Sequence, residues 1–76
     1  MELDKFIKDF AAQFDDTDIS EFTENTVFKN LKEWSSLITL SLIAMVDEEY
    51  ETKLKGDDIK SSETIKDLYN IVKNRL

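Results

Sequence analysis

The sequence predicts a small all-α protein, a four-helix bundle with three main helices, one short helix and a long loop between the first two. Three observations favour this class. The 76 residues are enough for one domain, 1–76, and no more. The chain has no proline and only one glycine, a composition that permits long helices. Apolar residues recur at helical spacing in several segments, and no segment alternates convincingly as a strand would.

The first helix is predicted over residues 2–14, and a long loop over residues 15–35. Charged residues separate the apolar positions of the helix, so one face can pack on a core. That apolar stripe consists of Leu3, Phe6, Ile7, Phe10, Ala11 and Phe14. The loop lacks a regular pattern, and we expect five apolar residues to pin it to the core: Ile19, Phe22, Val27, Phe28 and Leu31. Loops of this length are often functional.

The second helix is predicted to begin at Ser35 or Ser36 and to end near Tyr50, because serine is a good N-cap before an apolar run. A turn follows, in which Gly56 can adopt a positive φ and Asp57 can cap a short helix over about 57–61.

The last helix is predicted to start after Thr64. Thr64 and Asp67 have the spacing of a capping box, with aspartate in place of the usual glutamate. Lys73 and Arg75 lie near its C-terminus, where the helix dipole favours cations. Its buried stripe is predicted to be Ile65, Leu68, Tyr69, Val72 and Leu76.

The second helix differs from the others because it has two apolar faces when projected at about 100° per residue. The face expected to pack on the bundle holds Thr39, Leu42, Ile43, Val46 and Tyr50. The other face holds Leu37, Leu40, Ala44 and, at its edge, Ser41. A surface helix needs only one apolar stripe, so the second stripe indicates a docking surface. The alternative is a central helix that is buried on nearly all sides.

The charge distribution indicates the kind of partner. Acidic residues outnumber basic ones 17 to 10, for a net charge of -7, which disfavours nucleic acid and anionic membranes as partners. No basic residue lies between Lys32 and Lys53, whereas five acidic residues lie there: Glu33, Asp47, Glu48, Glu49 and Glu51. This pattern favours, as the partner, a protein that has an apolar groove rimmed by Lys or Arg. The alternative is that the charge serves only solubility.

Several classes of function are disfavoured by what the chain lacks. Without cysteine or histidine there is no disulfide, no thiolate or histidine metal ligand and no Ser-His-Asp arrangement, so we do not expect an enzyme or a metal site. No segment approaches the run of about 18 apolar residues that a membrane span needs. The acidic start at residues 1–4 has the wrong sign for a signal peptide, so we expect a cytoplasmic protein.

The residues around the start of the second helix resemble those of the acyl carrier proteins. Residues 34–37 read Trp-Ser-Ser-Leu and lead into an apolar helix that ends in Asp-Glu-Glu-Tyr at 47–50. This is similar to the Asp-Ser-Leu motif and second helix of that family. Downstream, Asp57-Asp58-Ile59 resembles its short third helix and Thr64–Asp67 the start of its fourth. The resemblance covers the whole chain, with the first 30 residues matching in pattern more than in identity.

The resemblance implies that Ser36 carries a 4'-phosphopantetheine arm, transferred from coenzyme A by a phosphopantetheinyl transferase. It also implies a monomeric carrier that holds acyl groups as thioesters in fatty acid, polyketide-like or related synthesis. Further partners would be synthases, reductases, ligases or acyltransferases with basic docking patches. The matching partner-binding positions are Ser35, Leu37, Leu40, Ser41, Ala44, Asp47 and Glu48.

Ser35 is the chief departure from the family, which usually has aspartate there. It keeps a competent N-cap and is also the rival attachment site. Ser36 could instead be a plain capping residue. A second hypothesis for the whole protein is therefore an unmodified helical adaptor that has kept the fold and lost the prosthetic group.

Overall fold

Four α-helices make up the fold in the computed structural model, which describes residues 1–76. They are α1 (Leu3–Ala11), α2 (Ser36–Tyr50), α3 (Gly56–Ser61) and α4 (Ile65–Arg75). Two 3₁₀ turns, Ile19–Glu21 and Phe28–Asn30, lie in the long loop between α1 and α2. The predicted class, a small all-α bundle with a long first loop, is confirmed. None of the helices combines the length and the apolar character needed to cross a bilayer.

An aromatic cluster joins α1 to the long loop. Phe10 is fully buried, and its ring centroid lies 5.6 Å from those of Phe14 and Phe28 and 6.1 Å from that of Phe22. Phe6 extends the cluster toward α4. α1 packs against both α2 and α4, and α3 packs against α4. The stripe predicted for α1 is therefore the centre of the core, and two loop phenylalanines complete it.

Some sequence-based expectations for these segments are wrong. α1 ends at Ala11, because the N–H groups of Gln13 and Phe14 donate to carbonyls three residues back and tighten the last turn. Phe14 is still buried. Ile19 and Val27 do not anchor the loop, since they are 62% and 42% exposed. The loop is anchored in the core by the buried side chains of Phe22 and Phe28.

The start of α4 is built as predicted and also anchors the loop. The Thr64 hydroxyl accepts from the Asp67 N–H at 3.2 Å, and the Asp67 carboxylate accepts from the Thr64 N–H at 3.0 Å. Thr64 forms an isolated antiparallel bridge with Val27, and the Ile65 N–H donates to the Thr26 carbonyl at 3.2 Å. The end of α4 departs from the prediction, because Leu76 lies beyond the helix and is 63% exposed.

The turn before α3 differs from the prediction. Gly56 is the first residue of α3 and has no positive φ; the one positive φ in the chain, 51°, belongs to Glu51, which ends α2. The N-cap is Lys55 and not Asp57, and the carboxylate of Asp58, the third helical residue, accepts from the Lys55 N–H at 2.8 Å. Arg75 donates to both oxygens of the same carboxylate, at 2.6 and 2.8 Å, which lowers the pKa of Asp58 and joins α3 to α4.

Candidate functional site

The two serines at the start of α2 have different surroundings. Ser35 is the N-cap, with extended backbone, and its hydroxyl accepts from the Ile38 N–H at 3.3 Å. Ser36 is the first helical residue; its side chain is exposed and its hydroxyl makes no hydrogen bond within the protein. Capping of α2 therefore occupies Ser35 and leaves the Ser36 hydroxyl free. The N–H groups of Ser36 and Leu37 also have no protein acceptor, as is usual in a first helical turn.

The two residues before the serines fix the entrance to α2. The Glu33 carboxylate accepts from the N–H groups of Asp15 and Asp16, at 3.0 and 2.8 Å, and from the Thr17 hydroxyl at 2.6 Å. The hydrogen bond from Thr17, with those from the backbone, holds the pKa of Glu33 below its ordinary value. The Trp34 ring packs edge-on against Phe28, with centroids 5.0 Å apart. The site is therefore tied to the end of α1 and to the core.

The two apolar faces predicted for α2 are present, and only one of them is buried. Leu42 and Val46 are each 1% exposed, whereas Leu37 and Leu40 are 75% and 63% exposed. All seven predicted partner-binding residues are exposed at positions that helical spacing places on one side of the helix or, for Ser35, at its N-cap. We call the side that carries these residues the outer face: Leu37, Leu40, Ser41, Ala44, Asp47 and Glu48. A helix buried on nearly all sides is therefore excluded.

The buried face of α2 is rotated from the predicted one. Met45 is buried together with Leu42 and Val46. Ile43 and Tyr50 of the predicted face, like Ile38 outside it, are partly buried and pack against the core, and Thr39 is also only partly buried. The cause is the position of α1, which packs along α2 on the side where Met45 projects. Sequence periodicity predicts that α2 has a buried face. Which residues lie at the centre of that face depends on the position of the neighbouring helix.

The acidic end of α2 is partly paired within the protein. Asp47 lies 3.3 Å from the Lys53 ammonium, and Glu49 lies 3.6 Å from that of Lys5. Lys5 is also 2.7 Å from Asp9, which accepts a hydrogen bond from the Tyr50 hydroxyl at 2.7 Å. Burial alone would raise the pKa of Asp9, but these two hydrogen bonds outweigh it and lower the pKa. The Glu48 carboxylate, by contrast, has no ion pair or hydrogen bond within the chain.

A groove of about 370 Å³ runs between α1 and the outer face of α2. Small side chains make the space for it, since Ala12, Ser41 and Ala44 line it. The full lining is Asp9, Ala12, Gln13, Ser41, Ala44, Met45, Glu48 and Glu49. The contribution of Ala12 and Gln13 was missed from the sequence, because nothing in the pattern of α1 indicates that its end borders the outer face of α2.

A second cavity, of about 450 Å³, lies on the other side of the N-terminal half of α2, between that helix and α3. Trp34, Thr39 and Ile59 line it, and Lys29 and Lys60 contribute to its wall. The sequence did not indicate this cavity either. Its two walls come from α2 and α3, and the sequence does not reveal the path of the segment that connects these helices. The cavity and the outer face flank Ser36 on different sides of α2.

No family model, no curated protein and no solved structure matches this chain. The likeness to acyl carrier proteins described above consequently rests on the residues of the chain itself. Beyond those residues, the free Ser36 hydroxyl and the exposed leucines beside it are the features on which a function can be argued.

Proposed function

We propose that this protein is an acyl carrier that holds acyl groups as thioesters on a 4'-phosphopantetheine arm attached to Ser36. The observation that carries the proposal is the difference in hydrogen bonding between two adjacent serines. Ser35 caps α2, and the neighbouring Ser36 hydroxyl is exposed and makes no hydrogen bond. A structural role therefore accounts for the first serine and not for the second.

The physical chemistry around Ser36 supports a phosphodiester at that position. The free N–H groups and the positive end of the dipole at the start of α2 favour a phosphate attached there. The chain has no histidine and no cysteine, so Ser36 has no imidazole base to activate it and the protein has no thiol of its own. A separate transferase would make the attachment from coenzyme A: a bond would form between the Ser36 oxygen and the phosphorus that bears the pantetheine, the pyrophosphate bond of coenzyme A would break, and adenosine 3',5'-bisphosphate would leave. The arm would supply the thiol for the thioester.

The surfaces on both sides of Ser36 support the same function. Leu37 and Leu40 are exposed and offer apolar contact to a protein that acts on the adjacent serine. The cavity beside Trp34, Thr39 and Ile59 offers apolar surface to an acyl chain on the arm. The partners that fit are the transferase, and acyl synthases, reductases, ligases or acyltransferases with basic docking patches.

Intact-mass measurement tests the attachment directly. The protein is incubated with coenzyme A and a broad-specificity phosphopantetheinyl transferase, and we expect one added phosphopantetheine. Ser36→Ala should abolish the addition. Ser35→Asp is the matched control, because aspartate keeps the capping acceptor and removes the rival hydroxyl, and it should be modified.

Two results would contradict the proposal. Modification of Ser36→Ala as complete as that of the wild type would place the arm elsewhere. A wild-type protein that stays unmodified would favour the adaptor hypothesis, in which the outer face of α2 binds a partner without a prosthetic group.

A further inference from the structure

We infer that the cavity between α2 and α3 receives a short acyl group that ends in a carboxylate, the half-thioester of a dicarboxylic acid. This inference rests on the proposed function and names the class of acyl group that an arm on Ser36 would hold. It depends on two lysines in the cavity wall, Lys29 and Lys60, which the attachment at Ser36 does not itself require.

The cavity opens beside the proposed attachment point. Trp34, two residues before Ser36, and Thr39, three residues after it, both line the cavity. At 1.5 Å per residue, Thr39 lies about 4.5 Å further along the helix axis than Ser36. An acyl group on an arm attached to Ser36 can therefore reach the cavity by folding back over the first turn of α2.

The size of the cavity favours a short acyl group. Its volume of about 450 Å³ is in the lower part of the range of about 300–1,000 Å³ that is typical of small-ligand sites. Ile59 lines it and is 4% exposed, whereas the core residues Leu42 and Val46 line no cavity. The core beyond Ile59 is therefore closed to a long alkyl chain, while a few methylene groups can pack on Trp34 and Ile59.

The charge of the cavity wall favours an anion at the end of that acyl group. Lys29 and Lys60 belong to the lining, and neither forms an ion pair within the chain. Asp57 is the only acidic residue of the lining, and it forms no ion pair either. Two positive charges therefore border this cavity against one negative charge, in a protein whose net charge is -7. A neutral alkyl group leaves both ammonium groups without a counter-charge, whereas a carboxylate supplies one.

The Lys29 ammonium is held in place by the protein itself. It donates to the Lys60 carbonyl oxygen at 2.9 Å, and it lies 5.8 Å from the centroid of the Phe28 ring. An ammonium group has three N–H donors, so two of those of Lys29 remain for a carboxylate. Hydrogen bonds between charged groups are about twice as strong as neutral ones. The exposed side chain of Lys60 is free to turn toward the same carboxylate.

Two acyl groups of equal length test the inference. The broad-specificity transferase loads Ser36 from the coenzyme A thioester of either glutaric acid or glutaramic acid, in which an amide replaces the terminal carboxylate. Intact mass verifies that both forms are fully loaded. At low salt we expect the glutaryl form to unfold about 2–4 °C above the glutaramoyl form, as one exposed ion pair would give in a domain of this size. Salt at about 1 M should close most of that difference.

Variants of the cavity wall locate the effect. Lys29→Gln combined with Lys60→Gln should remove the difference in unfolding midpoint. Gly56→Leu should remove it without any change of charge, because Gly56 lines the cavity, has no positive φ, and a Cβ there would meet no atom within 4 Å. Lys73→Gln, at an exposed lysine of α4 that lines no cavity, is the matched control and should keep the difference. Trp34 is the only tryptophan, so its emission should distinguish the two loaded forms of the wild type.

Four results would overturn the inference. Equal unfolding midpoints for the two loaded forms of the wild type would do so and would leave Ser36 as the attachment site. A difference that persists in the double lysine variant, or that Lys73→Gln also removes, would show that Lys29 and Lys60 are not its cause. Identical Trp34 emission in the two wild-type forms would show that the carboxylate does not bring the acyl group into the cavity. A wild-type protein that takes up no arm would overturn the proposed function and this inference together.

Discussion

The first two helices use their apolar residues differently. α1 has a single apolar stripe, and its aromatic residues are buried: Phe6 is 1% exposed and Phe10 is fully buried. α2 has two apolar faces, of which one is buried through Leu42 and Val46 while the other exposes Leu37 and Leu40 to solvent. Both helices bury an apolar stripe in the bundle, but only α2 carries apolar area that the bundle does not use.

The difference is the basis for our proposal that this small domain combines stability with recognition. Its core is centred on aromatic side chains, each of which buries a large area for one ordered residue. Because these side chains fill the core, the residues on the outer face of α2 are not needed to pack it. Exposed apolar residues in such a place are available to a partner, which is the docking role that we propose for this face.

The α1 side of the comparison is tested by Phe10→Ala. Phe10 is fully buried at the centre of the aromatic cluster, and we expect its truncation to cost about 3–5 kcal/mol. A domain of this size has only about 4–11 kcal/mol in total at typical values per residue. The variant should unfold at a much lower temperature than wild type, and a wild type at the lower end of that range would leave it largely unfolded at room temperature, without near-ultraviolet circular dichroism. Ile19→Ala, on an exposed loop side chain, should stay within about 0.5 kcal/mol of wild type. A wild-type thermal transition for Phe10→Ala would contradict the aromatic core.

The sequence was informative where one helix alone decides the result. The stripe of α1, the capping box at Thr64 and the two faces of α2 follow from spacing within a single segment, and all three are present. It was uninformative where segments meet. Spacing could not show that Phe22 would take the core position in preference to Ile19.

The same limit explains the features of the site that the sequence did not reveal. Glu33 accepts from two backbone N–H groups and one side-chain hydroxyl that lie 16 to 18 residues away, so its role exists only once the loop has folded back on the end of α1. The groove likewise depends on the packing of α1 against α2, because the two alanines on its walls, Ala12 and Ala44, are far apart in sequence. The residue with a positive φ is Glu51 and not Gly56. The left-handed conformation occurs at the C-cap of α2, and the turn before α3 does not require it.

The connection between the two helices is tested by Glu33→Gln, with a smaller expected effect than Phe10→Ala. The folded-state pKa of Glu33 lies below the ordinary 4.5, so its stabilising contribution is complete above that pH and is lost as the pH falls through the folded-state pKa. The variant should have a lower unfolding midpoint than wild type at pH 7, and the gap should close as the solution is acidified below pH 4.5. Glu63→Gln, whose carboxylate makes no hydrogen bond, is the control. A gap of equal size at pH 7 and pH 3 would contradict the role given to the Glu33 carboxylate.

The α2 side of the comparison is tested by truncating one leucine from each face. Leu42→Ala opens a cavity in the core and should cost about 2–5 kcal/mol. Leu40→Ala leaves no cavity, and we expect its unfolding free energy to stay within about 0.5 kcal/mol of wild type. Leu40→Ala should therefore have little effect on stability, and it provides a folded protein in which the proposed recognition alone has changed.

The rate at which Leu40→Ala receives phosphopantetheine, measured beside its unfolding midpoint, tests most directly the claim that the outer face of α2 is a docking surface. We expect a wild-type midpoint and a rate of transfer to Ser36 that is clearly lower than that of wild type, because a transferase reading Ser36 must lie against the adjacent turns. The folded fraction of Leu42→Ala should be modified at the normal rate. A destabilised Leu40→Ala whose folded fraction is modified at the wild-type rate would show that Leu40 belongs to the core and that α2 has no separate docking face.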